Sequence, residues 1–237
     1  MLSHHFKHMA AYHRHATCLI MNSINASCPP VVSEAMTIDA YHQQLPCLFF
    51  GSIHGTLNHI LGAEELWFHR LAARDNLLPP SIREFVSEEC AFAIGSIYSL
   101  EGADMRTTWE RRVLDRTELE HRLLRQCEAW EELVGLVGES EVEDSILKCS
   151  SYLDTTGKPS SVVLASGLTQ VFNHGTHHRG QISAALNAIN MADTGGSRGC
   201  NSLDMQGMGD DFLTYGGVQS VHTTFQNQQK VLREKSI

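Results

Sequence analysis

A chain of 237 residues, 42% hydrophobic and 19% charged, is long enough for one well-cored domain with an appendage, or for two small ones. Its 18 Lys and Arg stand against 27 Asp and Glu, and the net charge of −9 argues against a nucleic-acid binder, which needs a basic surface. Seven widely spaced cysteines with no Cys-x-x-Cys exclude a disulfide framework and a cysteine-based zinc site.

Reduced thiols in a cytosolic compartment are the simplest account of those cysteines. The segment Met1 to Ala11 lacks the apolar run of a signal peptide. No stretch approaches the roughly 18 apolar residues of a membrane span. The expectation is a soluble, cytoplasmic protein with no membrane partner.

Residues 2 to 26 read as an amphipathic helix, with Leu2, Phe6, Met9, His13, Ala16, Ile20 and Ile24 on one buried stripe. Cys28-Pro29-Pro30 ends it. A short helical piece is expected around Ser33 to Gln44, before Pro46. Residues 48 to 73 form the second strong helix. Ser52, Thr56, His59, Ala63, Leu66 and Arg70 share one of its faces, while Ile53, Leu57, Ile60 and Trp67 are available for packing. Leu78-Pro79-Pro80 breaks the chain, and a short helix over Ser81 to Glu88 leads on.

A third long helix is expected from Gly102 to Leu136, with Trp109, Leu114, Leu119, Leu123, Leu124 and Trp130 as core candidates. The basic run from Arg106 to Arg112 is diluted by Glu110 and reads as a solvated helix face. Residues 145 to 153 look extended, Thr156-Gly157-Lys158-Pro159 signals a turn, and Ser160 to Ala165 returns as a strand. The fourth long helix runs from Ser166 to Met191. Beyond it, Asp193 to Gly199 is a flexible break, the chain stays polar and glycine-rich to Gly217, and a loosely attached helix reaches Lys235. The fold class is therefore all-α. Residues 1–192 form a four-helix bundle with a long connection between helices two and three and a small β-hairpin before helix four, and 193–237 form a mostly irregular Gly-rich and polar extension.

The most informative stretch is His174-Gly175-Thr176-His177-His178-Arg179-Gly180-Gln181. On a helix, His174 and His178 stack one turn apart on one face, at the spacing that lets two imidazoles hold one metal ion. The same face carries Gly167, Val171, Gln181 and Ala185. Polar groups there are costly to bury unless a metal and its outer partners satisfy them. His177 lies about 100° around the helix from His178 and reads as a rim residue. Helix two offers His59 as a third ligand, with His54 and His69 as alternatives. His54 points away from His59, and His69 reads as exposed beside Arg70.

Gly51 to Trp67, containing Thr56-Leu57-Asn58-His59, resembles the helix-two signature of the DinB-like four-helix bundle proteins. Asn173-His174-Gly175-Thr176-His177-His178-Arg179-Gly180-Gln181-Ile182 resembles their helix-four signature. The Tyr152 segment and Leu203-Asp204-Met205 add to the likeness, which spans roughly residues 2 to 215. The resemblance implies a divalent-metal site made of His59, His174 and His178. In helix one the family often shows Tyr-Asn-x-x-x-Asn, where this chain has Tyr12-His13-Arg14-His15-Ala16-Thr17. His13 is then either a core histidine bonded to a neighbour or part of the metal pocket, as an outer partner or extra ligand.

Gly175 stands where His-Glu-x-x-His would require glutamate, so the motif is not that of a zinc protease. Glu64 and Glu65 follow His59 closely and read as surface salt-bridging residues. Three neutral imidazoles leave a coordination position for water or substrate, and such a metal can activate a thiol. The resembled family includes thiol-dependent S-transferases and isomerases. The leading reading is a metal-dependent thiol S-transferase acting on small electrophiles, with zinc or nickel as the metal and a low-molecular-weight thiol as cosubstrate. Thr56, Gln181 and Tyr12 are candidates to orient the substrate or the ligand rings. The resemblance also implies a homodimer. The alternative is a non-catalytic metal-binding stress-response protein, and a metal-dependent hydrolase is a third reading that needs a carboxylate near the metal.

Overall fold

The computed structural model describes residues 2–28, 40–72, 112–139, 149–153 and 158–193. They form α1 (Leu2–Ser27), α2 (Ile53–Ala72), α3 (Arg116–Glu139), strands β1 (Cys149–Leu153) and β2 (Pro159–Val163), and α4 (Leu164–Asp193). This is a four-helix bundle with a long α2–α3 connection and a β-hairpin before α4. Of the helix expected over Ser33 to Gln44, residues 33–39 lie outside the described residues, and 40–44 form a turn rather than helix. The expected helix over 81–88, the break after Asp193 and the C-terminal helix lie outside the described residues.

Each of α1 and α2 packs against both α3 and α4, so α1 and α2 stand at opposite corners of the bundle. The α1 stripe is as expected: Phe6, His13, Ala16, Ile20 and Ile24 are buried. One end of the bundle is apolar. There Phe6, Phe68, Leu71, Trp130, Leu133, Leu168, Val171 and Phe172 form a continuous cluster. Trp130 is fully buried, and Phe68 and Phe172 meet it edge to face at centroid distances of 4.8 and 6.0 Å.

The hairpin pairs Cys149 with Val163 and Leu153 with Pro159 in antiparallel register. Arg70 fastens it to α2, with its guanidinium 4.5 Å from the Tyr152 ring and 5.1 Å from the Trp67 ring.

Two helix starts differ from the sequence expectation. α2 begins at Ile53 rather than at 48, because residues 45–52 close a tight turn. Gly51 adopts φ +85°, a conformation other residues resist, and donates to the Leu48 carbonyl at 3.0 Å. Ser52 Oγ then caps α2 by accepting from the Gly55 amide at 2.9 Å.

α3 begins at Arg116 rather than at 102. Asn58 of α2 grips the Val113 peptide from both sides: Val113 N–H donates to Asn58 Oδ1 at 2.9 Å, and Asn58 Nδ2 donates to the Val113 carbonyl at 3.1 Å. Those backbone groups are therefore spent on a tertiary contact. Asp115 Oδ1 caps the helix by accepting from the Glu118 amide at 2.7 Å. Leu114, expected in the core, is 71% exposed as a result. Leu119, Leu123 and Trp130 are buried as expected, Leu124 is half-buried, and Trp109 lies outside the described residues.

Candidate metal centre

α2 brings His59, and α4 brings His174 and His178, to one point near the bundle surface. His174 Nε2 lies 3.0 Å from His59 Nε2 and 3.1 Å from His178 Nε2. His59 and His174 are partly exposed, and His178 is buried. Phe50, from the turn before α2, stacks on the His59 ring at a centroid distance of 3.7 Å and an interplanar angle of 18°. Its edge also meets the His178 ring at 5.6 Å.

All three imidazoles are held neutral. Burial, reinforced by the neighbouring His174, His178 and Arg112, lowers His59 to about 2. Burial and the neighbouring His178 lower His174 to about 4. Burial also lowers His178, against the opposing effect of Gln181.

The tautomers follow from the hydrogen bonds. Gln181 Oε1 accepts from His178 Nδ1–H at 2.8 Å, so the His178 Nε2 lone pair points at His174. On its other side, Gln181 Nε2 lies 3.1 Å from His177 Nε2. His174 Nε2 then faces two ring nitrogens at hydrogen-bond distance, but a neutral imidazole nitrogen carries either one proton or one lone pair. If it donates to His178, it has nothing to offer His59. Protons cannot satisfy both contacts, whereas one cation among the three lone pairs satisfies all of them.

The spacing agrees with this. Metal–nitrogen bonds of about 2.0–2.1 Å place ligand nitrogens roughly 2.9–3.4 Å apart in octahedral to tetrahedral geometry. The outer partner is also of the expected kind, since metal-bound histidines hand their second N–H to an oxygen acceptor. The residues present therefore fit a divalent metal.

The DinB family model matches residues 30–189, about two thirds of the chain, and the matched span contains all three histidines. The chain belongs to the DinB family. No curated protein and no solved structure is similar enough to match it. The α1 helix precedes the span matched to the DinB family, so His13 rests on its own structural context.

The other sequence candidates separate. Gln181 hydrogen-bonds a ring of the cluster, as above. Thr56 is buried, and its Oγ1 donates to the Ser52 carbonyl at 2.8 Å within the first turn of α2. Tyr12 is half-buried on α1. His13 is bonded into a neighbouring cluster described below. His54 is buried and its Nε2 lies 3.1 Å from Asn58 Nδ2, which supports the Val113 clamp. His69 is half-buried rather than exposed. His177 is exposed, and its ring lies beside Gln181.

Two charge assignments are corrected. Glu64 and Glu65 are each 1% exposed and are not surface residues. Glu65 pairs with Arg112 and Arg122, and Arg112 Nη1 also donates to the Asn58 carbonyl at 3.4 Å. Arg112 is thus buried rather than on a solvated face. Burial pushes the Glu65 carboxyl upward, and the two guanidinium groups oppose that shift.

Sequence reasoning missed Phe50 and Arg179. The sequence marks neither, because a ring that covers a ligand and a buried cation both depend on what packs against them.

Proposed function

We propose that His59, His174 and His178 hold one divalent metal, zinc or nickel, and that the chain is a metal-dependent S-transferase joining a low-molecular-weight thiol to a small electrophile. The observation that carries the metal is His174 Nε2, which faces two ring nitrogens that protons cannot satisfy together. A divalent metal in this position supplies Lewis acidity that ionises a thiol near neutral pH. Gln181 keeps the His178 lone pair aimed inward. His59 and His174 are each partly exposed, which supports access of a small molecule to the cluster. Phe49, 55% exposed and edge-on to Phe50, offers an apolar surface beside it for the electrophile.

Among the described residues no carboxylate joins the three-histidine group. Glu64 and Glu65 are held in buried pairs. That favours thiol chemistry over hydrolysis, which requires a base beside the metal-bound water. We also propose that the protein works in the cytoplasm as a homodimer.

Elemental analysis of the wild type and of His59→Ala tests the site. One metal per chain is expected in the wild type, with near-complete loss in the variant, and full retention in the variant overturns the three-ligand assignment. A screen of thiols against small electrophiles tests the reaction. A loaded protein that conjugates none of them is instead a non-catalytic metal-binding protein.

A further inference from the structure

A second cluster occupies the bundle interior and draws on all four helices. His13 of α1 reaches across the diagonal to Glu64 of α2, with Nε2 3.0 Å from Oε1 and both side chains 1% exposed. Arg179 of α4, 3% exposed, folds inward and donates from Nη1 to His13 Nδ1 at 3.1 Å and to Thr17 Oγ1 at 3.3 Å. Its Nη2 donates to Thr176 Oγ1 at 3.3 Å. Cys127 of α3 completes the group, and ligand-type atoms of His13, Glu64 and Cys127 lie within 4.8 Å of one another.

By residue type this trio resembles a metal site, but the chemistry points elsewhere. Arg179 takes the His13 Nδ1 lone pair, so the ring proton sits on Nε2, the nitrogen 3.0 Å from Glu64 Oε1. No lone pair is left for a metal. Glu64 and Arg179 already cancel in charge. A dication would have to enter beside a buried guanidinium and displace a proton from Cys127, a thiol that burial holds well above its ordinary range.

The placement of this chain of contacts is informative. Glu64 lies five residues beyond His59 on α2, and Arg179 follows His178 on α4. The two ends of the Glu64–His13–Arg179 chain are thus on the two helices that carry the metal cluster. The fit to α4 is close: a Cβ on Gly175 would stand 2.6 Å from His13 Cε1 and 2.9 Å from Arg179 Nη1. The His13 ring therefore rests on the α4 backbone beside His174.

We infer that Glu64, His13 and Arg179 form a polar strut that sets the spacing and rotation of α2 and α4, and so the geometry of the three-histidine cluster. His13 is a positioning residue, neither a ligand nor a passive core residue. This inference rests on the metal reading above.

The test compares metal affinity, the visible spectrum of the cobalt-loaded protein and the melting temperature of the metal-free protein. The variants are His13→Gln, Arg179→Met and the triple variant His13→Leu/Glu64→Leu/Arg179→Met. Loss of outer-shell support typically weakens metal binding about 10–100-fold, and that loss is expected in all three variants. The cobalt spectrum is expected to change as well. Buried ion triads replaced whole by apolar residues commonly keep or gain stability, so the triple variant is expected to melt no lower than the wild type while still binding weakly. A merely structural role would leave its affinity intact.

A triple variant that binds within threefold of the wild type with an unchanged cobalt spectrum overturns the strut and leaves the three-histidine site standing. A wild type that binds no metal overturns both. A second equivalent of cobalt with thiolate-to-metal absorption that Cys127→Ser abolishes also overturns the strut, because the trio is then a metal site.

Discussion

Among the described residues, two groups of three ligand-type side chains lie in this bundle, each with its ligand atoms within 4.8 Å of one another, and they behave as opposites. One is all imidazole and partly open to solvent, and its ring nitrogens face each other with too few protons to satisfy every contact. The other mixes imidazole, carboxylate and thiol, is sealed from solvent, and has its imidazole lone pair taken by Arg179. The difference teaches that residue type and proximity do not make a metal site. What matters is where the lone pairs point and whether the local charge already balances. An arginine from the adjoining turn is enough to convert a would-be ligand set into a structural ion chain.

The sharpest way to break the comparison is Glu64→Ala. It leaves the Arg179 guanidinium buried without its counter-charge, and breaking a buried pair from one side costs about 3–5 kcal/mol. Urea unfolding of the metal-free protein measures it. A loss under ~1 kcal/mol would mean that the inner cluster is not the charge-balanced chain described here.

Gly175→Ala acts on the contact between the two groups. Its methyl must displace His13 or Arg179, and overpacking of this kind costs about 1–3 kcal/mol. Metal affinity is expected to fall alongside stability, which equilibrium dialysis can follow.

The smallest effect is on pH dependence. In the folded, metal-free protein His174 stays neutral down to about 4, while in the unfolded chain it takes up a proton near its ordinary value of 6.5. The unfolded state therefore binds more protons between those limits, and stability rises with pH across the window. His59, held near 2, acts in the same direction. The urea midpoint of the metal-free protein is expected to be lower at pH 5 than at pH 7, and His174→Gln should reduce the difference, leaving the part due to His59. An equal slope in that variant would place the pH dependence elsewhere.

The sequence made the bundle legible because each long helix carries its own apolar period, and the α1 stripe needed no tertiary information. The ligand spacing on α4 was equally local, since i and i+4 share a face wherever the helix sits. What escaped was set by distant partners. Glu64 and Glu65 look like ordinary surface acids until His13, Arg112 and Arg122 arrive from other segments. The start of α3 was hidden for the same reason, because Asn58 claims the Val113 peptide from 55 residues away. Phe50 carries no local mark of its place over His59. His13 was visible as a departure from the family pattern, but its partners were not.

The diagonal placement of α1 and α2 also bears on how the molecule comes into being. Neighbouring helices in a bundle often pair as a hairpin while synthesis continues, but here the first two made cannot shelter each other. Their apolar faces wait for α3 and α4. His59 leaves the ribosome 115 residues before His174. A growing chain thus carries His59 for much of its synthesis before His174 and His178 exist, and the three-histidine cluster assembles only with the fourth helix. With the metal site proposed above, capture at that site waits for completion of the domain.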